Sequence, residues 1–370
     1  MKGVGVHGSC LFIMETSYSI EYQKEHFWRC RYTSTESPAL HYKIILPLYI
    51  KPVVTAPQEI DGLGVTLIGL YRTVKEKPYV EVSVSCENIK NEINSSDWLY
   101  NVLDLMGEII VNKKEFFVDS GSYADVLTWK DYNGETMISR YRVMKDSDAY
   151  SGGANFFMIK ATCHVENYNS LAEDIFQCVA WVELINKSNW SMAEGLKSLN
   201  ETFPERLYFY YPNSWSLRRT EEKRDNFVRY VLSHEIDNVR VNLINIFFMQ
   251  LDHEVTAQFV CDILSRRLKK ILETDVLVPR KLEQAFNMKI NELWVSESEV
   301  SGKEEEGVSG IKIYIGRIKN LWFYLEMITP LHTQNFYQWA VNKRTVDIIL
   351  NSVNNHDLEF NPDYSGEVFS

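Results

Sequence analysis

The chain spells one order of secondary structure twice, and this repetition constrains its fold more than any motif it contains. In the front half, residues 40–46 form an apolar strand closed by Pro47, and residues 63–71 form a second. Residues 78–86 alternate strictly, with Val80, Val82, Val84 and Cys86 on one face and Glu81, Ser83 and Ser85 on the other, the mark of a half-buried strand. A helix follows. Ser95, Ser96 and Asp97 supply N-cap chemistry, and Trp98, Val102, Leu105 and Ile109 recur at helical spacing. Three further strands are predicted over residues 116–129, 135–144 and 154–165, with Asn133-Gly134 as a hairpin signal between the first two. A helix opening at Ser170 ends the unit, with Leu171, Ile175, Val179 and Val182 on its apolar side.

The back half reads the same way. Residues 207–211 form an apolar strand closed by Pro212, and strands over 226–232 and 238–248 follow. The predicted helix over 254–273 carries Val255, Phe259, Ile263 and Leu264 on one face. Strands over 283–295, 308–319 and 321–329 lead to a closing helix over 334–353 with Phe336, Trp339, Val346 and Ile349 inward. The two copies lie about 165 residues apart, the size of one domain each. Trp129 and Trp294 fall at matching points of the fourth strand.

Runs of strands broken by single helices predict an α+β fold: two tandem copies of an antiparallel sheet packed by helices, β-β-β-α-β-β-β-α. The expected divisions are an N-terminal extension with a strand pair (1–39), in which Tyr18, Ile20 and Tyr22 alternate, a first domain (40–187), a polar linker (188–203), a second domain (204–353) and a C-terminal tail (354–370). The Ser/Glu/Gly-rich stretch 296–307 reads as a long hairpin loop.

Composition narrows the class of partner. With 39 Lys+Arg against 50 Asp+Glu, the net charge of −11 disfavours nucleic acid and anionic membrane surfaces, which need excess positive charge. Aromatics reach 13%, enough to fill two cores and leave rings for a binding surface. Six cysteines in 370 residues, none in a CxxC pair, fit a reducing compartment. Residues 10–14 are too short a run for a secretory core, and Met14 offers a second start that would make residues 1–13 a dispensable tail. The longest apolar run, 239–251, is broken by Arg240, Asn242 and Asn245 and cannot span a bilayer. The expectation is a cytoplasmic chain with no membrane span.

The chemical motifs read as structure. Gly3-Val4-Gly5-Val6-His7-Gly8 spells G-x-G-x-x-G, but a dinucleotide site needs a strand before it, and two residues cannot supply one. His164 with Glu166, and His253 with Glu254, are pairs where a metal needs three or four converging ligands. Glu304-Glu305-Glu306 reads as a solvated loop, and Arg266-Arg267 with Lys269-Lys270 as the outer face and end of a helix. No cofactor and no metal is expected.

The repeated order, the Pro that ends each first strand, and Pro212-Asn213-Ser214-Trp215 in the second copy resemble the Mog1/PsbP-like fold, in which an early P-x-x-W follows the first strand. The first copy has Pro47-Leu48-Tyr49-Ile50, with Ile in place of Trp. The resemblance implies a non-catalytic, protein-binding fold, with the Eag-type chaperones of type VI secretion effectors as its nearest functional analogue. On that basis the expected function is an adaptor or chaperone of a bacterial secretion system. It would shield an apolar client segment on a sheet surface or inter-domain cleft; a structural subunit of a secretion or envelope assembly, and a hydrolase or transferase with a site in the cleft, are the alternatives. The expected partner is a protein client or secretion-system component, and the aromatic candidates for its surface are Tyr208, Tyr210, Trp215, Trp129 and Trp294.

Overall fold

The computed structural model describes residues 18–356, apart from residues 55, 61, 76, 119–120, 189, 202–205, 221–226, 237–238, 251–255, 257–258, 261, 267–278, 283–288 and 302–307. By its internal packing the chain forms two units, Met1–Lys90 with Asn94–Ala193, and Asn91–Ile93 with Glu194–Ser370.

The first unit runs α1 (Ile20–His26), β1 (Phe27–Tyr32), β2 (Tyr42–Pro47), β3 (Ile50–Val54), β4 (Gln58–Ile60), β5 (Val65–Thr73), β6 (Val80–Ile89), α2 (Ser95–Leu105), β7 (Ile109–Val118), β8 (Gly121–Tyr132), β9 (Glu135–Ser147), β10 (Ala154–His164), α3 (Tyr168–Ala180) and β11 (Val182–Leu184). The second continues with β12 (Leu196–Glu201), β13 (Arg206–Pro212), β14 (Trp215–Arg219), β15 (Phe227–Ile236) and β16 (Val239–Gln250). A helix, α4, follows, described at residues 259–260 and 262–266. Then come β17 (Arg280–Lys281), β18 (Glu292–Ser301), β19 (Val308–Ile318), β20 (Leu321–Pro330), α5 (Phe336–Ser352) and β21 (Asn354–His356).

The strand orders are the same in both units. The large sheets read β3-β5-β6-β10-β9-β8-β7 and β14-β15-β16-β20-β19-β18-β17, with β4 added beside β5 in the first, and the small sheets read β1-β2-β11 and β12-β13-β21. Every pairing is antiparallel. The chain is therefore α+β, two tandem antiparallel sheets packed by helices. The expected elements are present in each half, with further strands inserted among them: β3 and β4 between β2 and β5, and β14 between β13 and β15, while the strand read over 116–129 is split between β7 and β8, and β17 precedes β18.

Local chemistry explains the turns. The β8–β9 hairpin turns at Asn133-Gly134, whose φ values of 51° and 87° are the left-handed pair a tight two-residue turn requires. Helix α2 stops at Gly107, with φ of 67°: Gly107 N donates to Asp104 O and Glu108 N to Leu103 O, both at 2.9 Å. This is a Schellman cap, which a residue without Cβ accepts most readily.

In the first unit, Ile44 and Leu46 of β2, Val82 and Val84 of β6, Ile159 of β10 and Ile175 of α3 meet in one cluster, each fully buried. The opposite face is polar at its centre. There Glu108 accepts from Thr128 Oγ1 (2.6 Å), Tyr141 Oη (2.7 Å) and Lys160 Nζ (3.3 Å). Burial pushes the Glu108 carboxyl up, and Lys160 with the two hydroxyls more than reverses it, leaving it below the usual carboxylate value. On the core side, buried Arg140 grips Asp125 through Nε (2.8 Å) and Nη2 (3.0 Å) and stands over Phe176 of α3. In the second unit α5 covers the core face of the sheet, where Phe209, Phe248 and Phe323 stack in sequence.

Several expectations need correction. The segment read as a strand pair folds as helix α1 and strand β1, because Ser19 caps Tyr22 N and starts a helical turn through Tyr22. Strand β12 runs through the stretch read as linker. The first helix ends before Ile109, and Leu105 and Ile109 are exposed. Strand β18 extends to Ser301 within the stretch read as a loop. The readings placed on residues 1–17, on residues 253–255, on Arg267, Lys269 and Lys270, on residues 304–306 and on the tail beyond 356 lie outside the described residues.

Ile50 and Trp215 open the equivalent strands β3 and β14 and are both fully buried, so each fills its core at the same topological point. Trp215→Ala is expected to cost about 3–5 kcal/mol and Ile50→Ala about 2–5 kcal/mol in denaturant unfolding. A loss below 1 kcal/mol at either site would contradict this placement.

Asp146 is buried, its Oδ2 accepts from Ser188 N at 3.0 Å, and its Oδ1 has no partner among the described residues. Burial raises its pKa to about 6. A carboxyl whose folded-state pKa is raised favours the protonated native state, so its contribution to stability falls as pH rises from about 4 through 6. Asp146→Asn is expected to melt above the wild type at pH 7, with the gap closing towards pH 4. A gap that does not change with pH contradicts the assignment.

Candidate functional site

The second unit's sheet carries an unusual face opposite α5. Alternation puts every second side chain there, and the strand registers arrange them in cross-strand rows. One row joins Glu292, Arg317, Trp322, Met249 and Phe227. The next joins Lys281, Trp294, Ile315, Tyr324, Phe247 and Arg229. A third joins Ser296, Ile313, Glu326, Asn245 and Val231.

The first two rows and α4 enclose a pocket of about 230 Å³. Its floor is buried: Ile315 and Trp322 are each 3% exposed. The rim is half-buried and comes from Phe227, Phe247 and Met249 on the sheet and Phe259 and Ile263 on α4. Tyr324 completes it. Helical spacing sends Val260 and Leu264 into the cluster with Ile311, Ile313 and Ile315, and leaves Phe259 and Ile263 along the pocket. Rings meet across strands, Phe227 with Phe247 at 5.7 Å and Phe247 with Tyr324 at 5.3 Å between centroids.

The third row is polar and buried. Arg229 Nη2 donates to Asn245 Oδ1 (3.1 Å), Asn245 Nδ2 to Glu326 Oε1 (3.1 Å), and Tyr324 Oη to Glu326 Oε2 (2.8 Å). This chain fixes the Tyr324 ring at the pocket edge and supplies hydrogen bonds to both carboxylate oxygens of the fully buried Glu326. Cations stand over the aromatic rings: Arg229 5.1 Å from Phe247, Arg317 5.6 Å from Trp322 and Lys281 5.5 Å from Trp294. Arg317 also pairs with Glu292 at 3.0 Å.

The five aromatics singled out from sequence do not form one surface. Trp215 is a fully buried core residue stacked on His234 at 5.6 Å. Tyr208 and Tyr210 stand half-buried and edge-to-face at 4.8 Å on β13 of the small sheet. Trp129, in the first unit, packs half-buried against the core of α3. Trp294 alone of the five stands on the pocket's sheet face, beside the cluster that holds Trp322. Trp129 and Trp294 do occupy equivalent strands, β8 and β18, but they face opposite sides of their sheets, because a one-residue offset reverses a strand's faces. The pocket residues themselves were readable only indirectly. The run Trp322-Phe323-Tyr324 puts rings on both faces of one strand, and a core needs only one of them.

Among the described residues, no group of three or more His, Cys, Asp or Glu side chains is placed to hold a metal, and no helix is long and apolar enough to cross a membrane.

No family model matches the chain, and no curated protein matches it. Solved structures share partial likeness. LpqN of Mycobacterium tuberculosis, described as involved in cell envelope biogenesis, is 9% identical over 45% of this chain and 96% of its own, with a TM-score of 0.31. Cyanobacterial PsbP (CyanoP) from Synechocystis sp. PCC 6803 is 12% identical over 43% and 92%, with a TM-score of 0.30. The type VI secretion immunity protein TplEi from Pseudomonas aeruginosa is 10% identical over 85% and 94%, with a TM-score of 0.23. At scores this low the fold assignment rests on the strand order itself.

An apolar fluorescent probe such as 1-anilinonaphthalene-8-sulfonate is expected to bind this pocket with single-site stoichiometry. Phe259→Ser and Ile263→Ser, on the half-buried rim, should each weaken it about five- to tenfold by removing apolar contact, with circular dichroism unchanged. Unchanged dye affinity in both folded variants would remove the pocket as the binding site.

Proposed function

We propose that the chain is a non-catalytic protein-binding module whose second unit takes an apolar side chain of a partner into the pocket on its sheet face. The observation that carries this reading is the pocket lining, in which all nine residues are apolar or aromatic. Its volume of about 230 Å³ lies below the roughly 300–1,000 Å³ of small-molecule sites and suits one or two anchoring side chains. Covering apolar surface there contributes roughly 25 cal/mol per Å². A buried floor with an aromatic, half-exposed rim is the arrangement in which a few anchors dominate binding.

The narrower reading, a chaperone or adaptor of a secretion system, rests on the resemblance carried by Pro212-Asn213-Ser214-Trp215. A reducing compartment, the cytoplasm, belongs to the same proposal and is supported by Cys30, Cys86, Cys163 and Cys178, which are free thiols.

The test is affinity enrichment from the native source with the full chain and with a Phe247→Ser/Met249→Ser variant, read by mass spectrometry. The expected result is one dominant protein that the wild type retains and the folded variant loses by at least about tenfold. A client held in variable ratio favours the chaperone, and a fixed-ratio complex a structural subunit. Equal retention by the variant, or no partner together with turnover in a substrate screen, would overturn the proposal.

A further inference from the structure

The pocket face holds polar atoms that its apolar lining does not explain. Trp294 Nε1, Trp322 Nε1, Arg317 Nε and Ser296 Oγ are each buried and without a hydrogen-bond partner among the described residues. All four side chains stand in the rows of that one face, on the adjacent strands β18, β19 and β20. Three of these atoms are N–H groups, which can only donate, and the fourth is a hydroxyl that can donate. A buried polar group left unpaired costs about 1–3 kcal/mol, and native proteins pair nearly all of them. A cluster of donors unmatched among the described residues therefore calls for acceptors that those residues do not bring.

Charge points the same way. Arg229, Arg317 and Lys281 stand over rings of this face. Arg266, exposed on α4, lies at helical spacing from Phe259 and Ile263 along the pocket side. Among the described residues, the face sets against these four cations Glu292, which pairs with Arg317, and the buried Glu326, with exposed Asp262 one step further round the helix. In a chain of net charge −11, this is a local excess of positive charge beside an apolar socket. The equivalent face of the first unit differs: Glu108 gathers Thr128, Tyr141 and Lys160, and the indole of Trp98 donates to Glu87 Oε2 at 2.6 Å. There the chain supplies its own acceptors.

We propose that the occupant of the pocket is a protein segment carrying an Asp or Glu carboxylate beside its apolar anchor, the anchor entering between Phe247, Met249 and Phe259 and the carboxylate meeting the donors of Trp322, Trp294 and Arg317. This deepens the protein-binding reading and depends on it. The carboxylate supplies acceptor lone pairs to the unmatched N–H groups and balances the fringe of cations, and such charge-assisted hydrogen bonds are stronger than neutral ones. A basic segment would leave every donor unmatched and add like-charge repulsion.

The test uses three short fluorescein-labelled peptides with the same Leu and Phe anchors and Glu, Gln or Lys at the flanking positions, measured by fluorescence polarisation on the full chain. The Glu peptide is expected to bind at least about tenfold more tightly than the Lys peptide, with Gln between them and the preference shrinking at high salt. In ¹⁵N-labelled protein the indole N–H resonances of Trp294 and Trp322 are expected to move downfield with the Glu peptide, assigned by Trp294→Phe and Trp322→Phe. Trp322→Phe keeps an aromatic ring and removes the donor, so it should narrow the preference for Glu over Lys, and Arg266→Glu/Lys281→Glu on the exposed fringe should reverse it. Should the charge-reversal variant fail to fold, the wild-type peptide series and Trp322→Phe decide alone. Equal binding of all three peptides overturns this inference and leaves the apolar pocket as a protein site. Binding of none of them, or of laurate in their place, overturns both readings.

Discussion

Each large sheet closes through one non-local pairing, the strand before the crossover helix against the last strand of the unit. In the first unit this is β6 with β10, from Val80↔Cys163 to Ile89↔Ala154, and in the second β16 with β20, from Leu243↔Ile328 to Gln250↔Leu321. Every other neighbour on that side of the sheet is reached by a hairpin step. Between the two paired strands the chain must travel to the far edge, lay down β7 or β17, and walk back through successive antiparallel partners. The helix on the outward leg, α2 or α4, is thereby required to cross one face of the sheet, while α3 or α5, following the last strand, covers the other. What either face can do depends on how completely its helix closes it.

The two copies answer that requirement with different chemistry. In the first, α2 lays Trp98 against Phe156 at 5.5 Å between centroids, and the carboxylate of Glu108, delivered by the Schellman turn at Gly107, collects the donors of the sheet. The face is filled and satisfied. In the second, α4 commits Val260 and Leu264 to the sheet but lets Phe259 and Ile263 stand beside an unfilled space. Of the carboxylates on that face, Glu292 pairs with Arg317, and Glu326, in the third row, is engaged by Asn245 and by Tyr324 of the second row. One topology thus supports a closed face and an open, donor-rich one.

Much of this architecture was legible in the sequence because period and punctuation are local signals. The alternation of Val80, Val82 and Val84, the Asn133-Gly134 turn, and the Pro that ends β2 and β13 fixed the element order. What escaped were elements whose identity is tertiary. Strand β3 begins with Ile50 one tight turn after Pro47, and β11 and β21 are three residues long, visible only as partners of β2 and β13. The Tyr18-Ile20-Tyr22 alternation was overridden by the Ser19 cap, because two-residue periodicity over five residues is weaker than a satisfied helix start. The site was less legible still. Trp215 looked like an anchor and is core, as its counterpart Ile50 is; nothing in a strand's own pattern says which of its two faces will be left uncovered. Of the five aromatics, Trp294 alone stands on the face that carries the pocket.

The physical question posed by the second unit is why a stable sheet keeps polar hydrogens unmatched on a face that is otherwise apolar. An apolar socket alone gains free energy from any hydrophobic side chain of suitable size, and so discriminates poorly among partners. Donors set at the floor change the comparison between partners rather than the average affinity. A segment that brings acceptors recovers the cost already present in the free protein, whereas one that does not leaves that cost in place and adds desolvation of its own polar groups. On the proposed reading, selectivity is built into the resting structure: in the first unit Glu108 stands at the centre of the donors, whereas in the second Glu326 is held in the third row by Asn245 and Tyr324.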